Sequence, residues 1–386
     1  MKSINYYILL FFLSLPFSDS IAVNSFKTNR VYQFSFFKNI PTYRANFKRD
    51  GKIGYFGPSS FVTKWKFKAG GNISSSPVLD KNDNVIFGSK DDHLYSVNFK
   101  GQLNWKFKTS GDVDCTPTIT KNGNIHFGSD DNYLYCLSSS GRQKWKVRLS
   151  GYARTSPLVL DDGLVITTSY YGYLYAIKNG KIIWKKYFGG YSKSSPSWDK
   201  KSKRIYVATR RGKVSAWTKK GKMIWSKQVT NRSYRYLRNS TVPIGEEGNL
   251  YVSTNEGVIS IDPKGKIRWR IPQIKAYIPP TRFNKNHWVV VSQYGYFFKF
   301  NNSGTIISKK KMAGSYNYSS VLVDGKGNSY FGSRDNHFYG VDPDGKLLFK
   351  KNTGNNVDAS ATIGSDGTLY FGSNSDYLYA LKKSGN

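Results

Sequence analysis

Six tryptophans, Trp65, Trp105, Trp145, Trp184, Trp225 and Trp269, recur at spacings of 40, 40, 39, 41 and 44 residues. A period of this length means that one supersecondary unit is copied along the chain, which restricts the fold to repeat architectures. The phase continues with Ser308 and Phe349 in the Trp slot, giving eight units. Each Trp after the first stands four residues beyond a glycine: Gly101, Gly141, Gly180, Gly221 and Gly265. Gly304 and Gly345 keep the frame in the last two units.

The unit has a constant grammar. A Ser-Pro-like step follows the Trp, as in Ser76-Pro77, Thr116-Pro117, Ser156-Pro157 and Ser195-Pro196. Next come a strand and a tight turn such as Asn122-Gly123 or Asp366-Gly367, which are strong hairpin signals between apolar runs. A second strand ends in Phe-Gly-Ser (Phe87-Gly88-Ser89, Phe371-Gly372-Ser373), and a third reads Leu-Tyr-small (Leu94-Tyr95-Ser96, Leu378-Tyr379-Ala380). The Trp segment is the fourth. Four short strands per unit, repeated eight times, predict an all-β fold: an eight-bladed β-propeller of four-stranded blades, each burying its faces against its neighbours. The array stops before a ninth Trp slot, while Trp65-Lys66-Phe67-Lys68 opens it without strands of its own. This N-terminal strand is expected to complete the last blade and close the ring, leaving no open seam. The Trp residues are expected on the outer strands, wedged between blades.

The Gly-x-x-x-Trp recurrence and the Leu-Tyr-Ala-like strand resemble the pyrroloquinoline-quinone-type propeller repeat over residues 65–386. The segment Tyr43 to Trp65, with Arg49-Asp50-Gly51-Lys52-Ile53-Gly54-Tyr55, is similar to the lead-in before the first blade of such proteins. The resemblance implies one of two branches. Quinoprotein dehydrogenases hold the quinone and Ca²⁺ in the propeller, and typically carry an adjacent Cys-Cys pair that this chain lacks. A non-catalytic branch includes the propeller lipoprotein of the outer-membrane assembly machinery, whose lipidated Cys is also missing here. The length is similar to that of the second branch.

Residues 1–22 read as a signal peptide: Lys2, an apolar run from Tyr6 to Leu15, then Pro16 and Ser20-Ile21-Ala22 before Val23. The run is too short to span a bilayer and no later stretch could do so. The expected layout is a signal peptide at 1–22, a basic aromatic lead-in at 23–64 and the propeller at 65–386. An exported protein, periplasmic or extracellular, follows. Export argues against a nucleic-acid partner despite 59 Lys and Arg against 24 Asp and Glu, a net charge of +35. Residues 181–311 carry 29 basic and 5 acidic residues, whereas residues 312–386 carry 7 of each. Most of the excess therefore falls on blades four to six, one contiguous arc that favours acidic partners.

Counting five and three residues back from each Ser-Pro-like step gives the expected rim of the central channel. On its basic side stand Tyr152, Arg154, Tyr191, Lys193, Arg238, Lys275, Tyr277, Tyr316 and Tyr318. Alternate residues of a strand share a face, so both sets are expected to face the channel. Arg210 and Arg211 join them from the turn between the second and third strands, which in other units holds Asp91, Asp92, Asp130, Asp131, Asp335 and Asp376. These eleven basic and tyrosine residues are the candidate site. Aromatics beside Arg suit flat or anionic ligands.

Cys115 and Cys136 fall on strands one and three of one unit, about 9–10 Å apart, too far for a bridge. Two buried free thiols are expected. His93 and His337 occupy one repeated turn position, no His pair has zinc-ligand spacing, and Asp80-x-Asn82-x-Asn84 lacks the Gly and Glu of a Ca²⁺ loop. No nucleophile elbow or phosphate loop occurs. The expectation is a monomeric, non-catalytic propeller with no cofactor and no metal. It would bind a protein or acidic polysaccharide of the cell envelope through the channel face and the basic arc. The alternatives are a quinone- and Ca²⁺-dependent dehydrogenase of alcohols or sugars, and a lyase or hydrolase using Asp112 and Asp114.

Overall fold

The computed structural model describes residues 42–230, 241–314 and 317–385. The expected signal peptide at 1–22 lies outside the described residues, as do Arg238 and Tyr316. Eight antiparallel sheets make up the described residues, seven of them with strands in simple sequential order. Blade one shows the plan, with strands Val78–Leu79, Val85–Gly88, His93–Val97 and Leu103–Lys108 running from the channel outwards. The fifth sheet has three strands among the described residues, with Ile244 bridging Leu250 at its inner edge. The only helical turn among the described residues is Tyr43–Ala45. The protein is an eight-bladed β-propeller, as the repeat predicts.

The ring closes at blade eight. Val62–Lys68 pairs antiparallel with Tyr377–Lys382, setting Trp65 opposite Ala380. The second and third strands of each blade are buried on both faces, while the fourth alternates between half-buried and exposed. The core therefore lies between blades. Ile86 and Leu94 of blade one pack with Ile125, Phe127 and Tyr135 of blade two. Phe87 and Tyr95 of blade one pack with Tyr370 and Leu378 of blade eight across the seam.

The Gly-x-x-x-Trp signature has a steric cause that spans two units. The Trp of one outer strand lies on the glycine of the next unit. A Cβ on Gly141 would come within 2.6 Å of the Trp105 ring, and one on Gly221 within 2.8 Å of Trp184. Each such glycine also has positive φ, which side chains disfavour. The indole N–H then donates across the blade gap: Trp105 to Ser139 O at 3.1 Å, Trp269 to Asn302 O at 2.9 Å. A bulge recurs beside each Trp, for instance between Ser96 and Val97 and between Cys136 and Leu137, and it re-aims the outer strand.

The Ser-Pro-like steps form a belt round the channel. The amide of Ser320 donates to Ser360 Oγ at 3.0 Å, Ser360 to Ser76 at 2.9 Å, Ser76 to Thr116 at 3.2 Å, Thr116 to Ser156 at 3.2 Å and Ser156 to Ser195 at 3.0 Å. A hydroxyl before the Pro is thus needed to satisfy the buried amide of the preceding blade.

The lead-in fills one end of this channel. Its backbone meets successive blades: Phe47 O accepts from Trp198 N, Lys48 O from Ile244 N, Asp50 O from Arg282 N and Gly51 O from Val323 N. Two buried guanidinium groups anchor it. Arg49 donates to Thr42 Oγ1 and to the carbonyls of Tyr43, Ser156, Pro157 and Pro196, at 2.6–3.2 Å. Arg44 donates to the carbonyls of Arg49, Pro279 and Pro280 and to Thr281 Oγ1. Burial lowers the affinity of Arg49 for its proton to a pKa of about 9, which still leaves it charged at neutral pH.

Candidate functional site

The plug leaves a cup that opens on the other face. Its volume is about 360 Å³, and it is lined by Ser74, Lys90, Asp114, Arg154, Tyr170, Lys193, Arg210, Tyr318, Arg334 and Asp358. Below it the hydroxyl belt narrows to a space of about 60 Å³ that Tyr43 floors. The Tyr43 hydroxyl lies 3.0 Å from Ser320 Oγ.

Of the eleven candidate residues, the structure brings Arg154, Lys193, Arg210 and Tyr318 to this cup. Tyr277 stacks on Tyr318 with ring centroids 5.3 Å apart. The expectation that residues five and three back share the channel face is corrected. Only the set three back lines the cup. The inner strands are two or three residues long and begin after the Pro or its counterpart, so the preceding residues are not extended strand and the period of two does not apply. The set five back sits on the rim, where its carbonyls accept from the next turn: Asn72 O from Lys90 N, Tyr152 O from Tyr170 N, Tyr191 O from Arg210 N and Lys275 O from Gln293 N. Tyr152 and Tyr191 join a surface cluster with Tyr170 and Tyr171, at centroid distances of 5.2–6.0 Å. Arg211 and Lys275 are exposed on the rim and do not line the cup.

Lys90, Tyr170 and Arg334 are cup residues that the sequence reading missed. All three follow the Ser that ends a second strand, the position that Arg210 occupies after Thr209, so the repeat frame held the signal. Asp91, Asp131 and Asp335 do not face the channel as open charge. Each carboxylate accepts from a tyrosine of its own blade (Tyr95, Tyr135, Tyr339, at 2.5–2.6 Å) and from an amide before the inner strand, Gly70, Ser110 or Gly314. They staple neighbouring blades. The Asp-x-x-x-Tyr spacing common to the three units is the sequence sign of it.

The cup's charges fall into two kinds. Arg154 forks onto Asp130, and Arg334 onto Asp358 at 2.7–2.8 Å. Such bidentate pairs are strong and hold both partners still. Asp130 raises the affinity of Arg154 for its proton, as Asp358 does for Arg334. Lys193 and Arg210 form no ion pair among the described residues. Burial lowers the pKa of Lys193, and nearby Asp114 opposes this. Oδ1 of Asp114 is buried with no hydrogen-bond donor among the described residues. Asp112 stands on the rim and does not line the cup, so the two carboxylates do not meet a ligand as a pair; burial and then Asp114 raise the pKa of Asp112.

Elsewhere, Cys115 and Cys136 are buried free thiols. The Asp80 carboxylate accepts from the Asn82 and Asn84 amides and from Asn84 Nδ2, an internally satisfied turn. Among the described residues no three His, Cys, Asp or Glu side chains are grouped to hold a metal ion. No helix among them is long and apolar enough to cross a membrane.

No curated protein sequence matches the chain. Among solved structures, BamB from Moraxella catarrhalis is similar at a TM-score of 0.69 and 14% identity, covering 83% of this chain and 99% of that one. A europium-containing methanol dehydrogenase superposes at 0.75 with 12% identity, over 89% of this chain and 98% of its own. Quinohemoprotein alcohol dehydrogenase ADHIIG from Pseudomonas putida HK5 superposes at 0.74 with 12% identity, over 89% and 80%. At these identities the likeness is one of fold. In sequence, residues 130–342 match the family described as outer membrane protein assembly factor BamB. That match spans more than half of a chain folded as an eight-bladed propeller, and the chain belongs to the outer membrane protein assembly factor BamB family.

Proposed function

We propose that this chain is an exported, non-catalytic propeller of the cell envelope. It binds an acidic partner, a protein or a glycan, through the open channel face and the basic arc of blades four to six. The observation that carries this reading is the cup itself. Its carboxylates at Asp130 and Asp358 are committed to Arg154 and Arg334, whereas Lys193 and Arg210 form no ion pair. The cationic charge left over faces solvent from a preformed concave site. Family membership supports an envelope setting and a protein partner.

The second reading, a quinone-dependent dehydrogenase, draws support from the likeness in fold to the alcohol dehydrogenases. The donor set does not fit the Ca²⁺ that such chemistry uses. Ca²⁺ takes about 6–8 oxygen ligands with several carboxylates among them. Here the lining holds two carboxylates: Asp358 is forked by Arg334 and Asp114 faces Lys193, while Asp130 behind them is forked by Arg154.

The test is binding of immobilised hexaglutamate to the full chain at rising salt. Affinity is expected to fall steeply with ionic strength. It should drop about tenfold or more in the Lys193→Gln, Arg210→Gln, Arg211→Gln variant. Binding that ignores both salt and the triple substitution overturns the reading.

A further inference from the structure

Beside the cup runs a second hollow, a groove of about 500 Å³ whose walls include Asn132, Arg148, Ser150, Tyr152 and Tyr171. The two are neighbours whose walls touch. Arg154 of the cup lies over the Tyr152 ring at 4.9 Å, and Tyr170 of the cup packs on Tyr152 at 6.0 Å. The tyrosines are rigid although exposed. Tyr171 lies so close over Gly151 that a Cβ there would come within 2.4 Å of its ring. Tyr170 accepts a hydrogen bond from Arg210 at 3.1 Å. Tyr152, Tyr171 and Tyr191 nevertheless leave 38%, 48% and 48% of their surface in water. Flat amphipathic rings held in this way are prepared contact area.

Resting on the partner-binding reading above, we propose that cup and groove together bind the end of a linear acidic glycan. A uronic-acid-type sugar sits in the cup and the following sugars lie along the tyrosines. Three observations select this occupant. The cup has no aliphatic side chain in its lining, so it does not suit the side chains of an apolar peptide. Lys193 and Arg210 supply cations for a carboxylate. Asp114 lines the cup beside Lys193 and suits a ligand that brings hydroxyl donors among its carboxylates, which a glutamate side chain at neutral pH does not. A uronic acid carries both the carboxylate and the hydroxyls on one ring, and its C–H face stacks on tyrosine. The lead-in makes the cup blind at Tyr43, so a chain enters it only by its end.

The test compares hexagalacturonate with hexaglutamate on the full chain by calorimetry. Saturable hexagalacturonate binding is expected, weakened about tenfold by Tyr171→Ala and also by Tyr152→Ala. Hexaglutamate, which has no sugar ring to stack, should be left unchanged by both substitutions. Tyr187→Ala, an exposed tyrosine outside the groove lining, should change neither. A longer polygalacturonate should still bind one protein per chain. Hexagalacturonate binding that survives Tyr171→Ala and Tyr152→Ala unchanged, or several proteins per chain, overturns the proposal. Binding of hexaglutamate alone overturns it and leaves the partner-binding reading standing, whereas binding of neither oligomer removes both.

Discussion

Gly141 and Gly163 have the same backbone φ of +79° but different surroundings. A Cβ on Gly163 meets nothing within 4 Å, whereas one on Gly141 meets three atoms of the Trp105 ring at 2.6, 2.9 and 3.0 Å. Replacing either by Ala places an L side chain in the left-handed region at about 1–2 kcal/mol, offset by about 0.4–1 kcal/mol of lost freedom in the unfolded chain. That sum is common to both sites. At Gly141 the indole must also give way, an overpacking cost of about 1–3 kcal/mol. Gly163→Ala is therefore expected to cost about 1 kcal/mol and Gly141→Ala about 2–4 kcal/mol. Urea unfolding read by circular dichroism measures both through the shift in midpoint. In a Trp105→Leu background the excess at Gly141 should shrink to the Gly163 value, because the two residues interact directly. Equal losses at the two glycines in the parent protein would refute the idea that each Trp uses the next unit's glycine as its seat.

Two further outcomes follow from the buried polar groups. Arg49→Met leaves the carbonyls of Ser156, Pro157 and Pro196 without their donor and should destabilise the protein by about 3–5 kcal/mol, with earlier proteolytic cleavage in the lead-in as the independent readout. Burial pushes the pKa of His126 down to about 4, below its unfolded value of about 6.5. A depressed value means that its contribution is whole above about pH 6.5 and is lost as the pH falls towards about 4, some 3 kcal/mol in all. His126→Leu should remove that part of the acid slope in denaturant melts recorded at pH 7 and pH 4.

The repeat made the ring legible because its restraints are local and copied. Gly, Trp, Ser-Pro and Phe-Gly-Ser each answer a steric or hydrogen-bond need that recurs once per blade. The cup was legible in part for the same reason, since Ser74, Asp114, Arg154, Lys193, Tyr318 and Asp358 are one register position. The set five back reached the rim but not the cup, because an alternation rule was applied to residues that lie outside the short inner strand. The plug had no period to reveal it. Arg44 and Arg49 look like any basic residues of a basic segment, and what holds them is a set of carbonyls from Ser156 to Pro280, more than 100 positions away. Lys90, Tyr170 and Arg334 differ in chemistry, so their shared position emerges only once the second-strand turns are seen to lean over the channel.

The seam in blade eight has a consequence for how the ring is assembled. Every other sheet joins strands that are neighbours along the chain, whereas Val62 finds Lys382 about 320 residues away. Loop-closure entropy grows as three-halves RT ln n, which comes to about 5 kcal/mol here against about 1 kcal/mol for a four-residue hairpin loop. Contacts of such separation are slow to form. Seven blades can zip as local hairpins while the eighth waits for the two ends of the array to meet. Because residues 42–53 reach into the channel immediately before this strand, the same late step that makes the circle also bolts its floor in place.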